Sequence, residues 1–235
     1  RGKTDLMSSA HAITRGLADD GGLFVPQRIP TMRPSDIKAM GKKPYTERAV
    51  DVLLQYLTDF SEEELRECVN AAYAKDKFGD NPVPLVQVND NTAVLELWHG
   101  PTSAFKDMAL QLLPHLLTRS KKTGETNKVV ILVATSGDTG KAALEGFADV
   151  EGTQIIVFYP SEGVSDIQKR QMITQMGKNV TVFGIEGNFD DAQRGVKEIF
   201  GNKVLSDELA KNGFTFSSAN SINWGRLAPQ IVYYV

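Results

Sequence analysis

The rhythm of apolar and polar positions changes near residue 90. Before it, apolar residues recur at helical spacing, as in the stripe Ala49, Val50, Leu53, Leu54 and Leu57. Ser8 or Ser9 caps a short helix through Ala18, and Gly21-Gly22 then forces a turn. Ser61-Glu62-Glu63-Glu64 reads as a capping box opening a helix through about Lys75. Pro82 and Pro84 punctuate, with short strands expected at 85–88 and 93–97.

Beyond residue 98 the order becomes helix (105–120), strand (129–134), helix (139–148), strand (154–159), helix (166–176), strand (180–183) and helix (191–200). The strand ends at 134, 159 and 183 lie 25 and 24 residues apart, a period that suits right-handed βαβ units and a parallel sheet. Ser165 with Gln168, and Asp190 with Gln193, read as further capping boxes. A helix near 204–211, a strand at 214–217, a polar loop and a helix from Trp224 complete the pattern. The fold class is therefore α/β with a helical N-terminal region. In such sheets ligands bind at the carboxyl ends of the strands.

Composition narrows the picture. With 41% hydrophobic and 23% charged residues, the chain is not disordered, collagenous or coiled-coil. The longest purely apolar run, Val129 to Ala134, has six residues, too few to span a bilayer as a helix. A net charge of −3 creates no field favouring nucleic acid or an anionic membrane. Cys68 is the single cysteine, so no internal disulfide forms and a reducing cytoplasm is the expected compartment. The chain opens Arg1-Gly2-Lys3-Thr4 without Met and closes Gln230-Ile231-Val232-Tyr233-Tyr234-Val235 inside a helix-like run; both ends read as cut. Ile231, Val232 and Tyr234 are expected to lack some neighbours.

Three polar clusters fall where strands end. In Gly100-Pro101-Thr102-Ser103-Ala104-Phe105-Lys106-Asp107, Lys106 occupies the first turn of an apolar helix. The positive end of the helix dipole and partial burial both favour a neutral amine there, as a Schiff-base or general-base lysine requires. The plainer reading is a solvated lysine beside Asp107. In Thr135-Ser136-Gly137-Asp138-Thr139-Gly140, backbone N–H groups and three hydroxyls meet a helix N-terminus, a place for a carboxylate or phosphate. Its spacing is neither a P-loop nor a dinucleotide fingerprint. Asp138 reads as the helix cap, with Thr135, Ser136 and Thr139 as donors. In Asn220-Ser221-Ile222-Asn223-Trp224-Gly225-Arg226, amides, a hydroxyl and a guanidinium precede a helix, suiting a phosphate monoester or an ordinary turn and cap.

Together with Gly16-Leu17-Ala18-Asp19-Asp20-Gly21-Gly22-Leu23-Phe24-Val25-Pro26, these motifs resemble the threonine synthase family in its longer fungal and bacterial branch. The resemblance runs over essentially the whole chain. It implies a three-layer parallel-sheet fold, pyridoxal-phosphate fold type II (tryptophan synthase β-like), incomplete at the C-terminus. Residues 1–90 would be the helical N-terminal domain and 91–235 the first part of the catalytic core.

The resemblance also implies roles. Lys106 would carry pyridoxal 5'-phosphate, with Phe105 beside it. Thr135, Ser136, Gly137, Asp138 and Thr139 would hold the substrate α-carboxylate, and Asn220, Ser221 and Arg226 the substrate phosphate. The reaction would turn O-phospho-L-homoserine and water into L-threonine and phosphate, with Lys106 as the general base. A phospho-lyase releasing 2-oxobutyrate and a non-catalytic anion-binding module are the alternatives. The implied partner is this small molecule alone, with the protein a monomer or homodimer and no metal.

The family's loop for the cofactor phosphate and its pyridine-nitrogen partner would lie beyond Val235. Gly187-Asn188-Phe189-Asp190-Asp191 imitates that loop, but reads as a strand-to-helix turn capped by Asp190. His99 reads as a packed turn histidine.

Overall fold

The computed structural model describes residues 5–121 and 127–235, so the opening Arg1-Gly2-Lys3-Thr4 lies outside it. Five helices come first: α1 (Ser9–Arg15), α2 (Pro34–Met40), α3 (Tyr45–Leu53), α4 (Glu62–Ala72) and α5 (Lys75–Phe78). A hairpin of β1 (Leu85–Asn89) and β2 (Thr92–Leu95) follows, pairing Val86 with Val94. Then come α6 (Asp107–Leu110), α7 (Leu113–Ser120), β3 (Lys128–Ala134), α8 (Asp138–Phe147), β4 (Thr153–Pro160) and α9 (Asp166–Ile173). The chain finishes with β5 (Val180–Ile185), α10 (Phe189–Gly201), α11 (Lys203–Lys211), β6 (Phe214–Ser218) and α12 (Trp224–Val232).

The four later strands form one parallel sheet in the order β5-β4-β3-β6. Side chains of a strand alternate between faces, and β3 splits its apolar run accordingly. Val129, Ile131 and Val133 face a large core shared with Ile13, Leu53, Leu65, Leu113, Leu117 and Phe147. Val130, Leu132 and Ala134 face a smaller one completed by Ala192, Val196, Phe200 and Phe216. Helices therefore cover both faces, giving three layers. Each fully buried Leu, Ile or Phe contributes roughly 1.5–3 kcal/mol. The large core draws on residues from both sides of position 90.

The strand order also locates the site. The chain steps outward from β3 to β4 to β5, then returns through α10 and α11 to place β6 on the other side of β3. The carboxyl ends of β3 and β6 thus flank the topological switch point, where open α/β sheets bind ligands. The second and third polar clusters are the two loops that leave these ends.

Several local expectations change. The helix expected at 105–120 is two pieces, because Pro114 sits in the first turn of α7 and cannot continue a helix through its missing N–H. α1 stops at Arg15, and α4 stops at Ala72 before α5 restarts at Lys75. α2 carries no broad apolar stripe, and its one sequence mark is Pro34 in the first turn, ahead of Asp36, which pairs with Arg33 to open it. Asn188, not Asp190, caps α10, accepting from the amides of Asp190 and Asp191. α12 ends at Val232, which is fully buried rather than short of neighbours, while Tyr234 is exposed.

Among the described residues no helix is long and apolar enough to cross a membrane. No group of three His, Cys, Asp or Glu among them could hold a metal ion.

Candidate active site

Lys106 comes from the turn before α6. Its backbone is already helical at φ −63° and ψ −24°, but the helix it precedes has four residues. The dipole expected to act on the amine therefore has little helix behind it. The turn is fixed by Asp107, which is fully buried and accepts from Thr102 N–H at 2.7 Å and Thr102 Oγ1 at 2.6 Å. Burial raises the Asp107 carboxyl above its ordinary value, and the two bonds from Thr102 oppose the shift. Gly100 completes the turn, since a Cβ there would meet Asp107 Oδ2 at 2.7 Å. Asp107 is thus no partner for Lys106.

The lysine's partner is Asp138, across 3.4 Å to Oδ2. The Lys106 side chain is 20% exposed, and its Nζ stands 4.4 Å from the centre of the half-exposed Phe105 ring. Close packing of α6 on α8 brings the two residues together from 32 positions apart in sequence. Gly146 permits it: a Cβ there would collide with the carbonyl oxygen of Leu110.

The loop at 135–140 is built differently from expectation. Thr135 is fully buried, and its hydroxyl oxygen accepts from Gly137 N–H at 3.0 Å and Gly140 N–H at 2.8 Å. Thr135 therefore satisfies the start of α8 and is no free donor. Asp138 does not cap; it is the first residue of α8, and Gly137 precedes it at φ 148°, which favours glycine. The remaining donors are the exposed Ser136 and half-buried Thr139, with the first-turn amides of α8 that have no intrahelical acceptor. They still suit a carboxylate.

The third cluster is mainly structural. The β3–β6 register pairs Leu132 with Ser218, and Asn220 extends it with its side chain. Asn220 Nδ2 donates to Ala134 O at 2.9 Å, and Asn220 Oδ1 accepts from Ala134 N–H at 3.2 Å. Both ends of the amide are thus engaged, at the residue just before Thr135. Asn223, fully buried, donates to Ile13 O and Ser218 O and accepts from Gly225 N–H, tying α12 to α1. Ser221 is exposed.

Arg226 is 4% exposed, and its Nη1 donates to Ala219 O at 2.7 Å. Its Nε is buried without a hydrogen-bond partner among the described residues, which also place no carboxylate in ion-pair range. Burial pushes the guanidinium down to about 10, still charged at neutral pH.

Two sequence readings end elsewhere. His99 is exposed, paired with Glu96 at 2.7 Å and stacked beside Trp98, rather than packed. Gln168, read as a capping-box partner of Ser165, directs its amide to Asp138 Oδ1 at 2.6 Å. Only the Ser165 half of that cap forms, and sequence held no signal for the second contact.

Known proteins resemble this chain over its whole length. The family model "Threonine synthase N terminus" matches residues 1–73, and "Pyridoxal-phosphate dependent enzyme" matches residues 80–225. The threonine synthase of Pseudomonas aeruginosa is 41% identical over 237 residues, covering 100% of this chain and 49% of that protein. Human threonine synthase-like 1 is 39% identical, over 96% of this chain and 31% of its own length. The crystal structure of PLP-bound threonine synthase from Brucella melitensis superposes with a TM-score of 0.86 at 40% identity, covering 99% of this chain and 49% of that one. The chain spans about half the length of the threonine synthases it matches.

Proposed function

The chain belongs to the pyridoxal-phosphate dependent enzyme family, and from that premise we propose that the protein converts O-phospho-L-homoserine and water into L-threonine and phosphate. The observation that carries this reading is the meeting of Lys106 with the loop at 135–140 at the switch point of the sheet. Its resemblance to threonine synthases over the whole chain supports the choice of substrate.

The donor set fits a carbonyl cofactor. Lys106 offers a partly exposed primary amine, and Phe105 lays an aromatic ring beside it. When bound, pyridoxal phosphate supplies an electron sink for negative charge developing at the substrate Cα.

The chain's own residues do the rest. The first-turn amides of α8 and the hydroxyls of Ser136 and Thr139 bind the substrate α-carboxylate. Lys106 Nζ takes the proton from Cα and then one from Cβ, so that phosphate departs from Cγ; a proton returns to Cγ to make the methyl group, water gives its hydroxyl to Cβ, and a proton returns to Cα to complete threonine. Asp138, beside Nζ, holds the amine in place between these transfers. Arg226 and Ser221 bind the substrate phosphate. A buried guanidinium without a carboxylate is costly, and a phosphate dianion offsets that cost. Asn220 is assigned to holding the loop rather than to the phosphate.

We place the protein in a reducing cytoplasm, as a monomer or homodimer. The lone thiol of Cys68 is buried and pushed up to about 12, which keeps it unreactive.

Full-length protein supplied with pyridoxal phosphate and O-phospho-L-homoserine should release threonine and phosphate in equal amounts. Phosphate with 2-oxobutyrate would give the phospho-lyase instead, and no phosphate release would overturn both.

A further inference from the structure

We infer that Gln168 is a positioning residue that holds Asp138 against Lys106, and that α9 is the template on which the loop at 135–140 is shaped. This rests on the reading of Lys106 given above. The carboxamide of Gln168 has one orientation that satisfies both neighbours. Ser165 Oγ donates to Gln168 Oε1 at 2.9 Å, which leaves the NH₂ end to donate to Asp138 Oδ1 at 2.6 Å. Asp138 then presents its second oxygen, Oδ2, to Lys106 Nζ at 3.4 Å. One carboxylate oxygen is thereby anchored to α9 and the other faces the amine.

Two glycines of the loop receive side chains of the same helix. A Cβ on Gly137 would lie 2.5 Å from Gln168 Cδ, and a Cβ on Gly140 would lie 2.7 Å from Met172 Sδ. Gln168 and Met172 are one turn apart on α9, so they stack on one face and enter both glycine positions together. The loop is pressed onto α9 at two points. Its conformation, and with it the direction of the Asp138 carboxylate, follows from that contact. Asp138 is exposed, so without Gln168 its side chain has, among the described residues, only Lys106 to hold it.

The test is a double-mutant cycle in the full-length protein with pyridoxal phosphate. It reads turnover and, separately, the rate at which borohydride fixes the cofactor on the Lys106 peptide. Gln168→Met keeps the volume and removes the donor. It should lower both rates by roughly 10- to 100-fold, the range for losing a hydrogen bond to a charged group. In an Asp138→Ala background, which removes the acceptor, the same change should have less than about threefold effect, because the two residues act as one unit. Melting temperatures identify any variant that fails to fold; Gln168→Asn, which shortens the amide, then runs the same cycle.

Equal losses in both backgrounds, or no loss in the wild type, would overturn the inference while leaving Lys106 in its role. A wild-type protein that takes no cofactor on Lys106 would overturn the underlying reading and this inference with it.

Discussion

Thr102 places both its backbone N–H and its hydroxyl on the buried carboxylate of Asp107, at 2.7 and 2.6 Å. That pair closes the turn from which Lys106 projects. Asp107→Ala would leave both Thr102 donors buried and unpaired, and should destabilise the protein by about 2–4 kcal/mol in denaturant unfolding. A loss below about 0.5 kcal/mol would show that the turn does not depend on Asp107.

The same residue gives a pH signature. Its folded carboxyl lies above the ordinary value because it is buried. The native state therefore binds more protons than the unfolded chain between the two values, and stability is lost as pH rises through that window. Relative to Asp107→Asn, the wild type should gain stability as pH falls from neutral toward about 4. A difference independent of pH would contradict the burial argument.

Arg226→Lys tests the phosphate assignment. A lysine offers a point charge where the guanidinium offers a fork. The KM for O-phospho-L-homoserine should rise by roughly 10- to 100-fold, the range for losing a charge-assisted hydrogen bond. Retention of pyridoxal phosphate should not change. Loss of the cofactor with an unaltered KM would put Arg226 elsewhere.

Gly146 tests how the site is assembled. Gly146→Ala sets a methyl against the Leu110 carbonyl and must push α8 away from α6. Overpacking of this kind costs roughly 1–3 kcal/mol. Because it separates Lys106 from Asp138, it should also slow cofactor attachment to Lys106. Normal attachment in a destabilised variant would show that the helix contact does not set the pair.

The sheet was legible in the sequence for a physical reason. β3 is buried on both faces and β4 is buried on one and half-buried on most of the other, so each carries a nearly unbroken apolar run, and the helices that follow them have ordinary lengths. Lys106 stood out in the sequence because a lysine in the first turn of an apolar helix meets the positive end of its dipole, and its proposed role came from the family resemblance. Its setting was not legible. Apolar residues are closely spaced from Met108 to Leu117, which hides the break, although Pro114 marks it. The roles of Thr135 and Asn220 depended on loop geometry: their side chains look like donors for a ligand but serve the backbone of their own loops. Gln168 became visible only once α9 was packed against Gly137.

We propose that Lys106 carries the cofactor. Full-length protein should be incubated with pyridoxal phosphate, reduced with borohydride and mapped by mass spectrometry. A single adduct is expected on the peptide containing Phe105-Lys106-Asp107, absent in Lys106→Ala, with that variant folded but unable to form threonine. An adduct on another lysine, or threonine formation by Lys106→Ala, would contradict it.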